Sequence, residues 1–136
     1  MSAADIARRA RAELGTSYRL HGRLPGRALD CIGLVAVAVG PLIPGGVPVP
    51  ATYAMRGHYE AEIREFFGRC GFDMLPCSEV PEGGDIIAVQ PGSGQWHLMV
   101  VDGGGLIHAD AGLRRVTYVP GRPPWPVAAI FRHKEG

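Results

Sequence analysis

The chain is short of the features that most often announce a function class. It has three cysteines, Cys31, Cys70 and Cys77, so at most one internal pair can form. No CxxC occurs and no cysteine spacing resembles a zinc site, which gives no reason to expect a metal or another cofactor. Charge of either sign is not in excess: 14 Lys and Arg against 13 Asp and Glu leave a formal +1, and no electrostatic case for nucleic acid arises. Long apolar runs are missing too. The longest, from Ile32, is broken by Gly40, Pro41 and Pro44, so no membrane insertion is expected. Residues 1–14 lack the apolar centre of a signal peptide, and the expectation is a chain made in the cytoplasm with no export signal of its own. There is no internal repeat and no low-complexity tail.

What is present suits a soluble enzyme-sized domain. With 136 residues, 46% apolar and 20% charged, the chain is expected to form one domain over 1–136 around one core. Twenty glycines and twelve prolines predict many tight connections. Cys70 and Cys77 read as small, mostly buried hydrophobes in preference to a disulfide, which needs an oxidising compartment.

Residues 2–14 predict an amphipathic helix, with Ser2 as N-cap and Gly15 as its stop. Residues 15–29 read as a loop, and Tyr18 and His21 are its only candidate functional groups. Asp30 then has the chemistry of an N-cap for a helix from Cys31 to about Val39. The valines there would suit a strand equally well by propensity; the Asp cap and the Gly40-Pro41 stop favour the helix. A Pro/Gly-rich connection over 41–52 leads to a second amphipathic helix at 55–69, and 71–80 is a link that can include a strand. After Pro81-Glu-Gly-Gly84 the pattern changes to five strands, 85–90, 96–101, 106–110, 114–119 and 127–133, each closed by a turn signal. Helices first and an antiparallel meander second indicate α+β.

The hairpin around Asp102 carries the chemistry. If Asp102-Gly103 is a two-residue turn, His97 lies opposite His108. If the turn is Gly103-Gly104, His97 faces Asp110 with His108 diagonal. In both registers His97, His108 and Asp110 share a face. A thiol at a helix N-terminus, lowered in pKa by that terminus and a nearby imidazolium, would find its base there. The roles follow: Cys31 attacks, His97 is base and then acid, His108 orients His97, and Asp110 stands in reserve as orienter. His58 and His133 have no such company and read as surface residues. A zinc site from His97, His108 and Asp110 is the competing reading, and it leaves Cys31 unexplained.

At these residues the chain resembles the NlpC family of cell-wall cysteine peptidases. Leu14-Gly15-Thr16-Ser17-Tyr18-Arg19 is similar to that family's Leu-Gly-x-x-Tyr-x segment, and Leu29-Asp30-Cys31-Ile32-Gly33-Leu34-Val35 to its Asp-Cys-x-Gly-Leu motif. Pro81-Glu82-Gly83-Gly84-Asp85-Ile86-Ile87 is similar to its Pro-Gly-Asp-Leu strand entry. Trp96-His97-Leu98-Met99-Val100-Val101 followed by Leu106-Ile107-His108-Ala109 is similar to its histidine strand and third polar residue.

The resemblance spans about residues 5–133. It implies a papain-like (NlpC-type) α+β fold, with N-terminal helices and the nucleophile helix packed on an antiparallel sheet of about five strands. It also implies hydrolysis of peptidoglycan stem peptides, usually between D-γ-glutamyl and meso-diaminopimelate. Carried onto this chain it makes Cys31 the nucleophile, His97 the base and His108 the third member. Tyr18 and Asp30 would be the substrate- or oxyanion-binding residues, Tyr18 through its hydroxyl. Two departures stand out. Ile32 follows the cysteine where relatives commonly carry a pocket-lining Ser, and His21-Gly22 stands where they carry Gly-Gly.

The Asp-Cys-Ile-Gly-Leu variant with the helix at 55–69 looks most like the small forms in phage tails and gene-transfer particles. Partners would then be peptide stems and tail proteins, with action at the cell wall or periplasm as part of a particle. Two other function classes remain. One is a catalytically silent tail-assembly module, and the other a thiol acyltransferase or amidase on a non-wall substrate.

Overall fold

The Asp30 side chain settles the conformation of the apolar run that follows it. In the computed structural model, which describes residues 3–50 and 60–135, its Oδ1 accepts the Gly33 N–H at 2.8 Å, and a helix runs over Cys31–Ala38. The cap satisfies one of the donors that a helix start leaves without a partner, and it outweighs the β-propensity of the valines. Cys31, Ile32, Gly33, Leu34, Val35 and Ala38 are all buried, so this helix lies inside the protein.

The elements in chain order are α1 (Ala3–Arg11), β1 (Ser17–Tyr18), β2 (Arg23–Leu24), β3 (Ala28–Leu29), α2 (Cys31–Ala38), a 3-10 turn (Gly40–Leu42), α3 (Glu60–Arg69), β4 (Phe72–Leu75), β5 (Ile86–Val89), β6 (His97–Asp102), β7 (Gly105–Asp110), β8 (Arg115–Pro120) and β9 (Val127–His133). The strands form one sheet in the order β2-β3-β1-β8-β7-β6-β5-β9-β4. This is an α+β fold in which α1 and α2 pack on β6 and α2 also reaches β7.

The five strands of the expected meander are present as β5 to β9. The sheet nevertheless has nine strands among the described residues, not about five. Three of the added ones, β1 to β3, are two-residue strands inside the stretch 15–29 that reads as a loop. They are too short to show alternation. Their partners are supplied by tertiary contact: β1 pairs in parallel with β3 and antiparallel with β8. The fourth, β4, lies in the 71–80 link and pairs with β9.

Helix ends differ by a turn or less. Helix α1 closes at Arg11, short of Gly15, through a turn in which the Glu13 and Leu14 N–H groups bond back to Ala10 and Arg11. The proposed Ser2 cap and residues 55–59 of the second helix, His58 among its neighbours there, lie outside the described residues.

The main core lies between α1, α2, α3 and one sheet face, with Ile6, Leu34, Phe67, Ile86, Val100, Ile107 and Phe131 nearly inaccessible. Each such side chain contributes roughly 1.5–3 kcal/mol by leaving water. Phe67 stacks on Phe131 with centroids 4.4 Å apart, which ties α3 to β9. Cys70 is buried as expected, but Cys77 is exposed, and neither is bridged. His133 is half-buried, not superficial, because its ring meets Phe72 edge to face at 5.1 Å.

Candidate active site

The tightest backbone approach in the fold sets the place of the nucleophile. A Cβ on Gly33 would run into the Gly22 carbonyl, and one on Gly22 would lie 2.7 Å from the Ala28 carbonyl oxygen. Glycine at both positions lets α2 seat against the 19–29 segment. His21, which stands in place of a glycine, keeps the left-handed backbone with φ 62°, a region that His enters more readily than most residues. Its N–H bonds to Asp30 Oδ2 at 2.7 Å, and Arg23 reaches Asp30 Oδ1 at 2.9 Å and the Pro50 carbonyl at 2.8 Å. Asp30, 1% exposed, thus holds the loop, a guanidinium and the helix start together.

Cys31 is the first residue of α2, His97 opens β6, and His108 and Asp110 end β7. The hairpin takes the Gly103-Gly104 turn: Asp102 pairs with Gly105 and Val100 with Ile107. His97 Nε2 and His108 Nδ1 are 2.8 Å apart, with the rings edge to face. His108 Nε2 lies 4.0 Å from Asp110 Oδ2. Tyr18, Asp30, Cys31, His97, His108 and Asp110 all line one cleft of about 250 Å³. The residues given catalytic or oxyanion roles from the sequence are therefore in one place. His21 is not among the cleft-lining residues; its backbone serves the scaffold.

Ile32 does not line the cleft. It is 3% exposed and belongs to the main core, pointing away from the cleft walls. Trp125, by contrast, escaped notice in the sequence. Its ring meets His97 at 5.8 Å and His108 at 6.4 Å, both edge to face, and covers the histidine pair. It sits in the Pro120–Pro126 connection, where a lone large aromatic among prolines was the available signal. Trp96, 4% exposed, lines the cleft and carries the Arg64 guanidinium 5.3 Å from its ring centroid.

Burial pushes the Cys31 thiol up to about 12; the Leu98 N–H opposes the rise, Asp30 adds to it, and the Ile32 N–H and Arg23 oppose it. This overturns the expectation of a thiol already lowered at rest. A rise of about three units corresponds to about 4 kcal/mol against the thiolate, more than the roughly 0.3–2 kcal/mol a helix terminus supplies. Burial, with the neighbouring His108 ring, pushes His97 down to about 4, while Asp110 opposes. His108 is lowered by burial as well, again against Asp110. The Tyr18 hydroxyl is raised by burial, then by Cys31 and by Asp30. These directions favour the uncharged thiol and the uncharged imidazoles at neutral pH. Among the described residues no group of three or more His, Cys, Asp or Glu is arranged to hold a metal ion, so the competing zinc reading has no geometric basis there.

No family model matches the chain, and no curated protein matches it. Solved structures do. NlpC1 from Trichomonas vaginalis superposes with a TM-score of 0.70 at 23% identity, over 96% of this chain and 43% of that protein. The peptidoglycan hydrolase RipB from Mycobacterium tuberculosis gives 0.62 at 23%, over 96% and 63%. An N-acetylmuramoyl-L-alanine amidase from Bacteroides uniformis gives 0.68 at 15%, over 97% and 98%. Other neighbours are NlpC/P60 proteins or domains. The fold is thus the papain-like NlpC/P60 fold. The chain spans less than half the length of the Trichomonas proteins it matches.

Proposed function

We propose that the protein is a cysteine hydrolase of peptidoglycan stem peptides and belongs with the NlpC/P60 enzymes whose fold it shares. One observation carries the reading: His97 Nε2 is engaged by His108, which leaves Nδ1 for a thiol that lines the same cleft. As Sγ attacks the acyl carbon, its proton passes to His97 Nδ1. The C–N bond then breaks, and His97 returns that proton to the leaving amine. Water attacks the thioester carbon as His97 takes its proton; the C–S bond breaks, the acid product leaves, and His97 returns the proton to sulfur, which restores the thiol. Because both groups start neutral, proton transfer accompanies attack; no standing thiolate is needed.

The Cys31 N–H at the start of α2, together with the Tyr18 hydroxyl, is the donor pair proposed for the oxyanion. Asp30 contributes by fixing that helix start, since its oxygens already accept from Gly33, His21 and Arg23. Trp125 closes the far side of the histidine pair from water.

The bond proposed is D-γ-glutamyl–diaminopimelate, and the setting is a phage or phage-like tail acting on the wall. Detection of the chain in purified particles tests the setting. Mass spectrometry of purified peptidoglycan digested by wild type and by Cys31→Ala tests the activity and the bond together. New amino termini on diaminopimelate are expected from wild type and none from the variant. New amino termini on the stem's first alanine would assign an amidase instead, and undiminished release by Cys31→Ala would sink the reading.

A further inference from the structure

From the sequence Asp110 is expected to stand in reserve for His108 as orienter, or to join His97 and His108 in a zinc site. The geometry gives it a different place. His108 is 2% exposed, its Nδ1 is taken by His97, and its Nε2 is a buried polar atom without a hydrogen-bond partner. The nearest acceptor geometry it has is Asp110 Oδ2, 4.0 Å away. A buried polar atom left without a partner loses its solvation with nothing in return, so an orphan at this point in the site calls for a reason.

The other carboxylate oxygen explains why Asp110 faces inward. Oδ1 accepts the N–H groups of Gly112 at 2.8 Å and Leu113 at 3.1 Å, which pins the side chain at the β7–β8 turn. Oδ2 is then presented to His108 with its rotamer fixed. The carboxylate is 28% exposed, whereas the His108 ring beyond it is 2% exposed.

We propose that Asp110 is the outermost member of a relay in series, Asp110–His108–His97–Cys31, in which it fixes the tautomers of both histidines. The proposal rests on the thiol-hydrolase reading of the same cleft. A carboxylate can only accept, so it selects the Nε2–H tautomer of His108. His108 Nδ1 is then an acceptor and selects Nε2–H on His97, which leaves the His97 Nδ1 lone pair free to take the thiol proton. When His97 becomes imidazolium, the positive charge is met through His108 by the carboxylate, and the 4.0 Å separation shortens to a hydrogen bond. No proton leaves His97 along this chain; Asp110 acts as a positioning residue and remains a carboxylate.

A structural role and a tautomer-setting role order two substitutions oppositely. In Asp110→Asn the amide oxygen keeps the bonds to Gly112 and Leu113, and the NH2 group faces His108 Nε2. Two donors cannot face each other, so His108 must carry its proton on Nδ1, and His97 in turn on Nδ1, where it blocks the base. Asp110→Ala loses the turn bonds but imposes no wrong tautomer. Expected is a fall in kcat of about 10²-fold or more for the Asn variant, larger than for Ala, with KM little changed, while thermal stability falls more for Ala.

Imidazole ¹⁵N shifts of the full chain at pH 7 read the tautomers without any substrate. Nε2–H on both rings in wild type, with inversion in Asp110→Asn, is expected. Nδ1–H on His108 in wild type, or no inversion in the Asn variant, would overturn the proposal, as would an Ala variant slower than Asn. Absence of wall hydrolysis by wild type would refute the hydrolase reading and leave the ¹⁵N measurement to decide Asp110's part.

Discussion

The state of the sulfur at rest is the feature with the most direct chemical consequence. A thiol held at about 12 by burial is almost wholly protonated near neutrality, whereas Cys77 is exposed at the protein surface. A small alkylating agent that reacts only with thiolate will therefore modify Cys77 first at pH 7. The expected labelling order by peptide mass mapping is Cys77 ahead of both Cys31 and the buried Cys70. Preferential labelling of Cys31 would mean that a thiolate–imidazolium pair stands ready in the free protein. The sequence singled out Cys31, His97 and His108 because each sits inside a local pattern, and the fold brings all three to one cleft. It could not give the direction of the thiol's shift, since that depends on how many apolar side chains close over it. Ile32 is the same lesson at the next position: its identity was legible, its direction was not. A residue following the helix start turns to the core or to the cleft according to how α2 is rotated, and the Gly22 contact sets that rotation.

At the level of elements, α2 and the β6–β7 hairpin divide the work. Helix α2 is held at its start by Asp30 and along its side by the Gly33–Gly22 approach. Gly33→Ala brings a methyl group against a backbone carbonyl that no side-chain rotation relieves. Overpacking of this kind costs typically 1–3 kcal/mol, and the displaced helix carries Cys31 with it. The expected outcome is a lower midpoint in urea together with a fall in kcat/KM larger than the lost stability explains. An unchanged midpoint would show that the helix can shift without penalty. The hairpin was nearly complete in the sequence, because alternation set the shared face; two turns left two registers open, and Gly103-Gly104 is the one formed. The three two-residue strands were not, because so short a pairing has no period to read and exists only through its neighbours.

For the molecule as a whole, the lowered histidines and the raised thiol make stability depend on pH from both sides. His97 ionises near 6.5 when unfolded and about 4 when folded. Between those values the unfolded chain binds more protons, so stability falls as pH drops through this window, by on the order of 3 kcal/mol from His97 alone. His108 is lowered too and acts in the same sense. Cys31 ionises near 9 when unfolded and about 12 when folded. There the folded chain retains the proton, and stability falls as pH rises from about 9, by on the order of 4 kcal/mol. Chemical denaturation across pH 4–11 should thus show a plateau between about 6.5 and 9. His97→Gln should flatten the acid side and Cys31→Ser the alkaline side. Retention of both limbs in the double variant would place their origin elsewhere.

The base and its orienter lie 11 residues apart on a single hairpin, while the thiol comes from the first quarter of the chain. A closed hairpin of this size forms in microseconds and needs nothing distant, but α2 reaches the histidines only when the sheet is assembled. During synthesis Cys31 emerges from the ribosome long before the strands that complete its site. A nascent or truncated chain therefore carries the proposed nucleophile with no base, and the proposed hydrolytic capacity would come only with the finished fold. For a protein whose proposed target is the wall of a cell, the order of residues along the chain is itself a safeguard.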